Sequence, residues 1–322
     1  MDKNMLVDIP LRSEERMKKP KPKYKPTRTF SVEKDGFYGE YHEPEQNLFP
    51  GKGMVICSGS DGSFLLSQLG ADKFVDAGMP VLALGYWNVP GTPEDPFMCP
   101  VEYMQRACQW LREQKGMHPG VWGISLGGEY VLLCASIFPE IECVVAASPV
   151  HIVTQCGSFS GGLHFAAGSP FSQGGQAVPY VSVSVEKAHA LVKRMKKNFL
   201  KRREPDMLFY YDELLKTEHD PEADIRVENI KAPVLLLSGA SDVMVPADWV
   251  CEQVMKRLDQ NGFSYPHIHK SYDPLSHYVC PLRPMTTSMF RVERRQKAAC
   301  NANREQSWHD TLEFLEHKWI VE

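Results

Sequence analysis

From Met54 onward, the chain alternates short strand-like runs with segments whose apolar residues recur at helical spacing. Six runs have strand character: MVIC, VLALGYW, VWGIS, CVVAASPV, PVLLLSG and HIHKSY. Helical patterns follow five of them, at residues 64–77, 101–115, 126–138, 247–260 and within 304–318. Such alternation is typical of a parallel sheet whose connections place helices on both faces. The sequence therefore predicts an α/β protein with a mainly parallel, doubly wound sheet.

The N-terminal region does not follow this alternation. Residues 18–28, KKPKPKYKPTR, combine Pro with Lys, which favours an extended and solvated basic arm. Residues 28–43 then alternate apolar and polar side chains around Asp35-Gly36, a dipeptide that tight hairpin turns prefer. We predict an arm over residues 1–27 and a single domain over 28–322 that opens with an antiparallel strand pair.

A second departure is an insert at about residues 151–230. Its first part, GSFSGGLHFAAGSPFSQGGQ, is rich in Gly and Ser and predicts an irregular loop. Its second part, KAHALVKRMKKNFLKRR, places five apolar residues on one helical face: Leu191, Val192, Met195, Phe199 and Leu200. Ligands of open α/β sheets bind at the carboxyl ends of the strands. We therefore interpret the insert as a cap or lid that borders a substrate site.

The candidate nucleophile is Ser125, in the G-x-S-x-G sequence Gly123-Ile124-Ser125-Leu126-Gly127. The apolar run before it predicts a strand and the run after it predicts a helix, which is the context that a serine nucleophile of this motif requires. A sharp turn at Ser125 would hold its hydroxyl at a helix N-terminus, where negative charge is favoured. The pentapeptide alone is also compatible with an ordinary glycine-rich turn.

A serine hydroxyl needs a histidine base and a carboxylate that orients this base. In α/β-hydrolases the order along the chain is Ser, acid, His. Asp242 follows the strand PVLLLSG and His277 follows the next strand, so we predict the triad Ser125, Asp242 and His277. Asp273 is the alternative acid. The other histidines considered are assigned structural or pocket-lining roles: His267, His269, His151 and His164.

Acyl transfer also needs an oxyanion hole, whose donors are usually backbone amides. One predicted donor is the amide of Leu126, which directly follows the nucleophile. The second is expected from the glycine-containing loop after MVIC, where Asp61 is preferred over Ser60.

Composition limits the remaining function classes. The net charge of −4 argues against a general nucleic-acid binder, and the nine scattered cysteines contain no C-x-x-C pair that would indicate a zinc site. We predict no cofactor, no metal and a small-molecule substrate. The sequence shows neither a secretory leader nor an apolar run long enough to span a membrane, so we expect a cytoplasmic protein, as a monomer or homodimer.

With these segments together, the chain resembles the C-terminal catalytic domain of acyl-CoA thioester hydrolases and bile acid-CoA:amino acid N-acyltransferases. The segments that carry the resemblance are LALGYWNVP, GVWGISLGGEYVLLCAS, FYYDELL, IRVENIKAPVLLLSGASD, SHYVCP and SWHDTLEFLEHKW. The resemblance implies an α/β-hydrolase fold with Ser125 as nucleophile, Asp242 as acid and His277 as base. The thioesterases of this family use serine at the nucleophile position, whereas the conjugating enzymes characteristically use cysteine, which favours hydrolysis.

The predicted function is therefore serine-dependent hydrolysis of an acyl thioester, with acyl-CoA as the expected substrate. CoA phosphates need cationic partners, and Lys193, Arg194 and Lys197 are candidates, although the same residues are compatible with a solvated helix face. The alternatives are hydrolysis of a carboxylic ester by a dienelactone hydrolase-like enzyme, acyl transfer to an amino acid, and a catalytically silent scaffold.

Overall fold

An eight-stranded sheet runs through the centre of the computed structural model. The structure describes residues 20–158, 164–165, 168–201, 203–216, 218–280 and 287–321. The strands of this sheet are β1 (Arg28–Phe30), β2 (Tyr38–His42), β3 (Lys52–Cys57), β4 (Val81–Gly85), β6 (His118–Ile124), β7 (Cys143–Ala147), β12 (Val234–Gly239) and β13 (His267–Tyr272). The shorter strands are β5 (Cys99–Pro100), β8 (Gly157–Ser158), β9 (His164–Phe165), β10 (Phe171–Gln173) and β11 (Gln176–Ala177).

The helices follow the predicted alternation. They are α1 (Val32–Asp35), α2 (Phe64–Asp76), α3 (Glu102–Lys115), α4 (Leu126–Ile137), α5 (Val185–Leu200), α6 (Leu208–Lys216), α7 (Ala247–Gln260), α8 (Arg291–Arg295) and α9 (Lys297–His317). None of the helices in the described part of the chain is both long and apolar enough to cross a bilayer.

The strand order in the central sheet is β1-β2-β4-β3-β6-β7-β12-β13. The last six strands in this order pair in parallel, whereas β2 pairs antiparallel with both β1 and β4. Because the six parallel strands point the same way, their carboxyl ends meet at one edge of the sheet. The predicted mainly parallel, doubly wound α/β sheet is confirmed.

Two apolar cores cover the two faces of the sheet. Val55 and Val121 face the core that α3, α4 and α7 complete, while their neighbours Met54 and Trp122 face the core that α2 and α9 complete. Alternate strand residues point to opposite faces. A parallel sheet with both faces covered must therefore be apolar at successive positions, which explains the continuous apolar runs of the sequence.

The N-terminal strand pair forms as predicted, but its connection differs. Instead of a two-residue turn, the four-residue helix α1 joins β1 to β2. Residues 1–19 of the predicted arm lie outside the described residues. The lysines that follow, Lys21, Lys23 and Lys25, are exposed, and this stretch is held on the domain because the amides of Lys23 and Tyr24 donate to the Asp72 carboxylate of α2 at 2.7 and 3.1 Å.

The insert is more ordered than its composition indicates. Its glycine-rich part contains β10 and β11, a hairpin that turns at Gly174 and Gly175, both with positive φ. The hairpin extends to a three-stranded sheet because β10 also pairs in parallel with β5. On α5, Leu191 and Val192 of the predicted apolar face are buried, whereas Leu200, the last residue of the helix, is 81% exposed.

Candidate active site

Ser125 occupies a tight turn between β6 and α4. Its backbone angles are φ 58° and ψ −124°, a conformation that costs a non-glycine residue roughly 1–3 kcal/mol. The Ser125 amide donates to the carbonyl of Ala147, at the end of the neighbouring strand β7, at 2.9 Å. The predicted strand, turn and helix are therefore present, with Ser125 at the N-terminal cap of α4.

The two glycines of the motif are required by close backbone contacts. A Cβ atom on Gly123 would lie 2.1 Å from the carbonyl oxygen of Gly127, and one on Gly127 would lie 2.3 Å from the carbonyl oxygen of Ser58. Both distances are far below van der Waals contact. The glycines allow the turn to close on itself and allow α4 to approach the loop after β3.

Asp242 and His277 form a buried pair on the loops after β12 and β13. His277 Nδ1 lies 2.7 Å from Asp242 Oδ2, and the side chains are 3% and 1% exposed. The other carboxylate oxygen, Oδ1, accepts the amides of Met244 at 2.8 Å and Val245 at 3.1 Å. This network assigns the proton to Nδ1, which donates to Asp242 and leaves Nε2 of His277 as the acceptor.

Ser148 connects the nucleophile to the base. It directly follows Ala147, whose carbonyl binds the Ser125 amide, and its own hydroxyl donates to the carbonyl of His277 at 2.9 Å. Its amide donates to the carbonyl of Leu237 in β12 at 2.8 Å. The three elements that carry the predicted triad are thus joined around one fully buried serine. Ser148 lies within the predicted strand run CVVAASPV, and no sequence signal indicates this role.

The loop that carries His277 is held from both sides by a buried ion pair between α8 and α9. Glu293 accepts the hydroxyl of Ser276 at 2.6 Å, and Arg304 Nε donates to the carbonyl of Tyr278 at 2.9 Å. Arg304 also pairs with Glu293, and their side chains are only 8% and 3% exposed. The pair therefore binds both sequence neighbours of the base.

We expect Arg304→Ala to lower the free energy of unfolding by about 3–5 kcal/mol, because it leaves the Glu293 carboxylate buried without its cation. Chemical denaturation of the purified variant measures this loss. Arg112→Ala is the matched control, since it breaks the exposed pair with Glu142 and should cost no more than about 1 kcal/mol. Equal effects of the two substitutions would contradict the assigned role of the buried pair.

The alternative acid and histidines lie outside this arrangement. Asp273 is exposed at the end of β13. His267 Nε2 lies 2.9 Å from Asp259 Oδ1, and His269 Nε2 lies 2.6 Å from Ser238 Oγ, which are structural contacts as predicted. His151 packs against the ring of Trp249, and burial lowers its pKa to about 4. The side chain of His164 lies outside the described residues.

The loop after β3, residues 58–63, passes directly over the nucleophile. A Cβ atom on Gly59 would lie 3.0 Å from Ser125 Cβ and 3.5 Å from Ser125 Oγ. Ser60 and Asp61 are partly buried on this loop, and Leu126, the other predicted donor, begins α4. The structure thus brings both predicted sources of oxyanion-hole amides to the same place beside Ser125.

Three consecutive residues after β4 hold this loop. The Tyr86 hydroxyl, the Trp87 indole N–H and the Asn88 side-chain amide donate to three carbonyls of the loop, those of Ser58, Gly59 and Gly62, at 3.1, 3.3 and 2.8 Å. Sequence reasoning identified Tyr-Trp-Asn as part of the family resemblance but assigned these residues no role. Their contacts satisfy the loop carbonyls and fix the path of the loop over Ser125.

The carboxyl group of Asp61 has an unusual environment on this loop. Burial raises its pKa to about 7, although backbone amides of Ser63, Asp61 and Gly59 donate to it and oppose the shift. The Ser63 amide lies 3.0 Å from Asp61 Oδ2. Ionisation of the Asp61 carboxyl group near neutral pH places a negative charge on the same loop as the backbone amides from which we expect oxyanion stabilisation.

We therefore expect Asp61→Asn to change the pH dependence of hydrolysis. Above pH 7 the wild-type carboxylate opposes the negative charge of the transition state, so wild-type kcat/KM should fall relative to the variant. The ratio of variant to wild-type kcat/KM should rise several-fold between pH 6 and pH 9, on the order of tenfold at most. Asp273→Asn removes an exposed carboxylate and should leave the profile unchanged. A constant ratio for Asp61→Asn would contradict this expectation.

The insert contacts both the nucleophile helix and the acid loop. The amide of Met207 donates to the carbonyl of Val243, next to Asp242, at 2.8 Å. The amide of Thr154 lies 3.4 Å from Oε1 of Glu129, one turn after Ser125 on α4. Burial raises the pKa of Glu129 well above its ordinary value, which favours the uncharged form of this carboxyl. The insert therefore contacts the two elements that carry Ser125 and Asp242.

Comparison with known proteins identifies the family. The family model described as BAAT / Acyl-CoA thioester hydrolase C terminal matches residues 99–319, more than half of the chain. The chain belongs to this family.

The nine cysteines of this family member are all buried and free. Among the described residues, no group of three or more His, Cys, Asp or Glu side chains is arranged to hold a metal ion.

Curated relatives of this member of the BAAT and acyl-CoA thioester hydrolase family include acyl-coenzyme A thioesterases. The mitochondrial acyl-coenzyme A thioesterase 2 of Mus musculus is 27% identical over 241 residues, which cover 74% of this chain and 47% of the relative. Acyl-coenzyme A thioesterase 1 of Homo sapiens is also 27% identical over 241 residues, or 74% of this chain and 51% of the relative. The chain spans about half the length of these relatives.

Comparison with solved structures identifies the fold. The α/β-hydrolase GrgF from Penicillium is 12% identical, with a TM-score of 0.52, and the match covers 88% of this chain and 94% of that one. A puromycin-hydrolyzing peptidase of Mycobacterium tuberculosis is 15% identical, with a TM-score of 0.52 and coverage of 89% and 38%. At these identities the likeness shows the α/β-hydrolase fold and nothing finer.

The three predicted cationic residues of α5 line one cleft, which is lined by none of the triad residues. Lys193, Arg194 and Lys197 are exposed on α5 and line a cleft of about 750 Å³. None of them has a described contact with Ser125, Asp242 or His277.

Proposed function

We propose that this protein hydrolyses acyl-CoA thioesters with Ser125 as nucleophile, His277 as general base and Asp242 as the group that orients His277. The observation that supports this most is the buried His277–Asp242 pair, joined through Ser148 to the strained turn of Ser125. Membership of the BAAT and acyl-CoA thioester hydrolase family, and relatives named acyl-coenzyme A thioesterases, support the thioester as the electrophile.

The acylation step follows from the assigned proton positions. Nε2 of His277 takes the proton of the Ser125 hydroxyl while Oγ attacks the thioester carbonyl carbon. The amides of Leu126 and of Asp61 or Ser60 stabilise the oxyanion, and each such donor is worth roughly 10²–10³ in rate. The carbon–sulfur bond then breaks, and the thiolate of CoA takes the proton from His277 and leaves as the thiol.

Deacylation repeats these roles with water. His277 accepts a proton from water while the water oxygen attacks the acyl-serine carbonyl, and His277 then returns the proton to Ser125 Oγ. The free fatty or short-chain acid leaves. Asp242 stays ionised throughout and stabilises the imidazolium ion that forms in each half of the reaction.

The test is a substrate panel measured with one enzyme preparation. We expect kcat/KM for acyl-CoA esters, from acetyl-CoA to palmitoyl-CoA, to exceed kcat/KM for p-nitrophenyl esters of the same acids. Adding glycine to the assay should yield no N-acylglycine, because water is the proposed acceptor. A consistent preference for the p-nitrophenyl esters would contradict the thioesterase assignment, and N-acylglycine formation would reassign the acceptor. A cytoplasmic location and a monomeric or homodimeric state stay predictions.

A further inference from the structure

A basic cleft lies between α5 with its following loop and the start of α8. We define the basic cleft by its charged lining residues: Lys193, Arg194, Lys197, Arg203, Glu204, Asp206, Arg291 and Arg294. The cleft has a volume of about 750 Å³, and six cationic and two anionic side chains line it. It is therefore locally positive, although the whole chain carries a net charge of −4. Such a local excess of positive charge attracts a polyanionic ligand.

Four of the six cationic side chains have no hydrogen-bond or ion-pair partner among the described residues. Arg194 pairs with Asp206, and Arg294 donates to the carbonyls of Ser288 and Met289, both at 2.8 Å. The other four have no side-chain hydrogen bond or ion pair within the part of the chain that the structure describes: Lys193, Lys197, Arg203 and Arg291. They come from two separate chain segments, which distinguishes the cleft from the solvated face of a single helix.

The basic cleft adjoins both loops of the acid–base pair. Asp206 in its wall directly precedes Met207, whose amide binds the carbonyl of Val243 beside Asp242. On the other wall, Arg291 directly follows Phe290, whose ring packs on Tyr278 with a centroid distance of 5.9 Å. Tyr278 in turn follows His277 and packs on its ring at 5.7 Å. A ligand held in the cleft would therefore lie beside the acid and base loops.

We propose that the basic cleft binds the 3′-phosphorylated adenosine diphosphate portion of acyl-CoA, so that the pantetheine arm extends towards Ser125. This inference rests on the proposed thioesterase function. The pyrophosphate and the 3′-phosphate supply several negative charges for the four unpaired cations, and arginine can bind phosphate oxygens in a bidentate manner. The cleft volume lies in the range of roughly 300–1,000 Å³ that is usual for small-molecule and cofactor sites.

The first test compares two double variants with equal loss of charge. Lys193→Ala with Lys197→Ala removes two cations of the basic cleft, whereas Lys196→Ala with Lys201→Ala removes two cations of the same region that do not line it. We expect the cleft variant to raise KM for an acyl-CoA about 10- to 100-fold, with kcat little changed, since two charge-assisted contacts are lost. The control variant should change KM less than about threefold.

A truncated substrate separates nucleotide binding from catalysis. The N-acetylcysteamine thioester of the same acid lacks the nucleotide, so its kcat/KM should be equal in wild type and in the cleft variant. If the cleft variant leaves KM for acyl-CoA unchanged while Ser125-dependent hydrolysis of both thioesters persists, the cleft assignment is wrong and the proposed function stands. A similar loss of kcat/KM on both substrates would also overturn the assignment, because it would indicate a structural effect.

Direct binding gives a readout that does not depend on activity. Calorimetry with adenosine 3′,5′-bisphosphate should detect binding to wild type that weakens at least about tenfold in the cleft variant and falls with added salt. Binding without hydrolysis of any thioester would overturn the proposed function but support the cleft as a nucleotide site. Undetectable binding, or equal competition by inorganic phosphate, would overturn the nucleotide assignment.

Discussion

Ser125→Ala is expected to lower kcat for acyl-CoA hydrolysis by about four to six orders of magnitude, with the fold intact. The hydroxyl is the only atom lost, and it is the proposed site of the acyl-enzyme bond. The turn itself is held by the Ser125 amide on Ala147 and by the glycines on both sides, none of which the substitution changes. The free energy of unfolding should therefore change by no more than about 1 kcal/mol.

Single-turnover kinetics and labelling with a fluorophosphonate probe measure the two consequences of this loss. Wild type should react with the probe and form an acyl-enzyme, and Ser125→Ala should do neither. Ser136→Ala, on the same helix, removes a hydroxyl whose hydrogen bond among the described residues goes to the carbonyl of Leu133, so this variant should retain both reactions. A wild-type protein that never reacts with the probe would instead support a catalytically silent scaffold.

Local pattern was sufficient to predict the sheet and the turn at Ser125. Strands buried on both faces must be continuously apolar, and helices buried on one face must repeat their apolar residues at helical spacing. The helices α2, α4 and α7 consequently start at the predicted residues and end within a residue of prediction. The turn at Ser125 also has a local signal, because its two glycines are needed wherever it forms.

The residues that hold the loops of the candidate site in position have no such signal in the local sequence. Arg304 and Glu293 look like ordinary surface residues of polar helices, and only the fold brings them to the two neighbours of His277. The same holds for Ser148, whose hydroxyl reaches a carbonyl 129 residues away along the chain. Long-range hydrogen bonds depend on tertiary structure, so composition and periodicity cannot predict them.

The insert shows how a local pattern can also mislead. Gly and Ser in residues 157–176 suggested an irregular loop, yet β10 gains partners from β11 and from β5, which lies far away in the sequence. Leu200 fits the apolar stripe of α5 but ends the helix in an exposed position. In both cases the position relative to the rest of the fold decides the outcome, and propensity does not.

Asp242→Asn is expected to lower kcat by about 10³- to 10⁴-fold, because it forces His277 into the tautomer that cannot act as a base. Oδ1 of residue 242 accepts the amides of Met244 and Val245, so an asparagine must place its carbonyl oxygen there. Its amide group then faces His277 Nδ1, 2.7 Å away in wild type, and donates to it. Nδ1 becomes the acceptor, the proton moves to Nε2, and His277 can no longer take the proton of Ser125.

Steady-state kinetics of Asp242→Asn and Asp273→Asn on the same thioester measure this effect. The two substitutions are chemically identical, but Asp273 is exposed and makes no contact with His277, so its variant should keep activity within about threefold of wild type. Asp242→Ala adds a further comparison, because it removes the misplaced donor and leaves the imidazole free to adopt either tautomer. If the forced tautomer is the cause, the alanine variant should retain more activity than the asparagine variant. A large loss in Asp273→Asn with a small loss in Asp242→Asn would reassign the acid to Asp273.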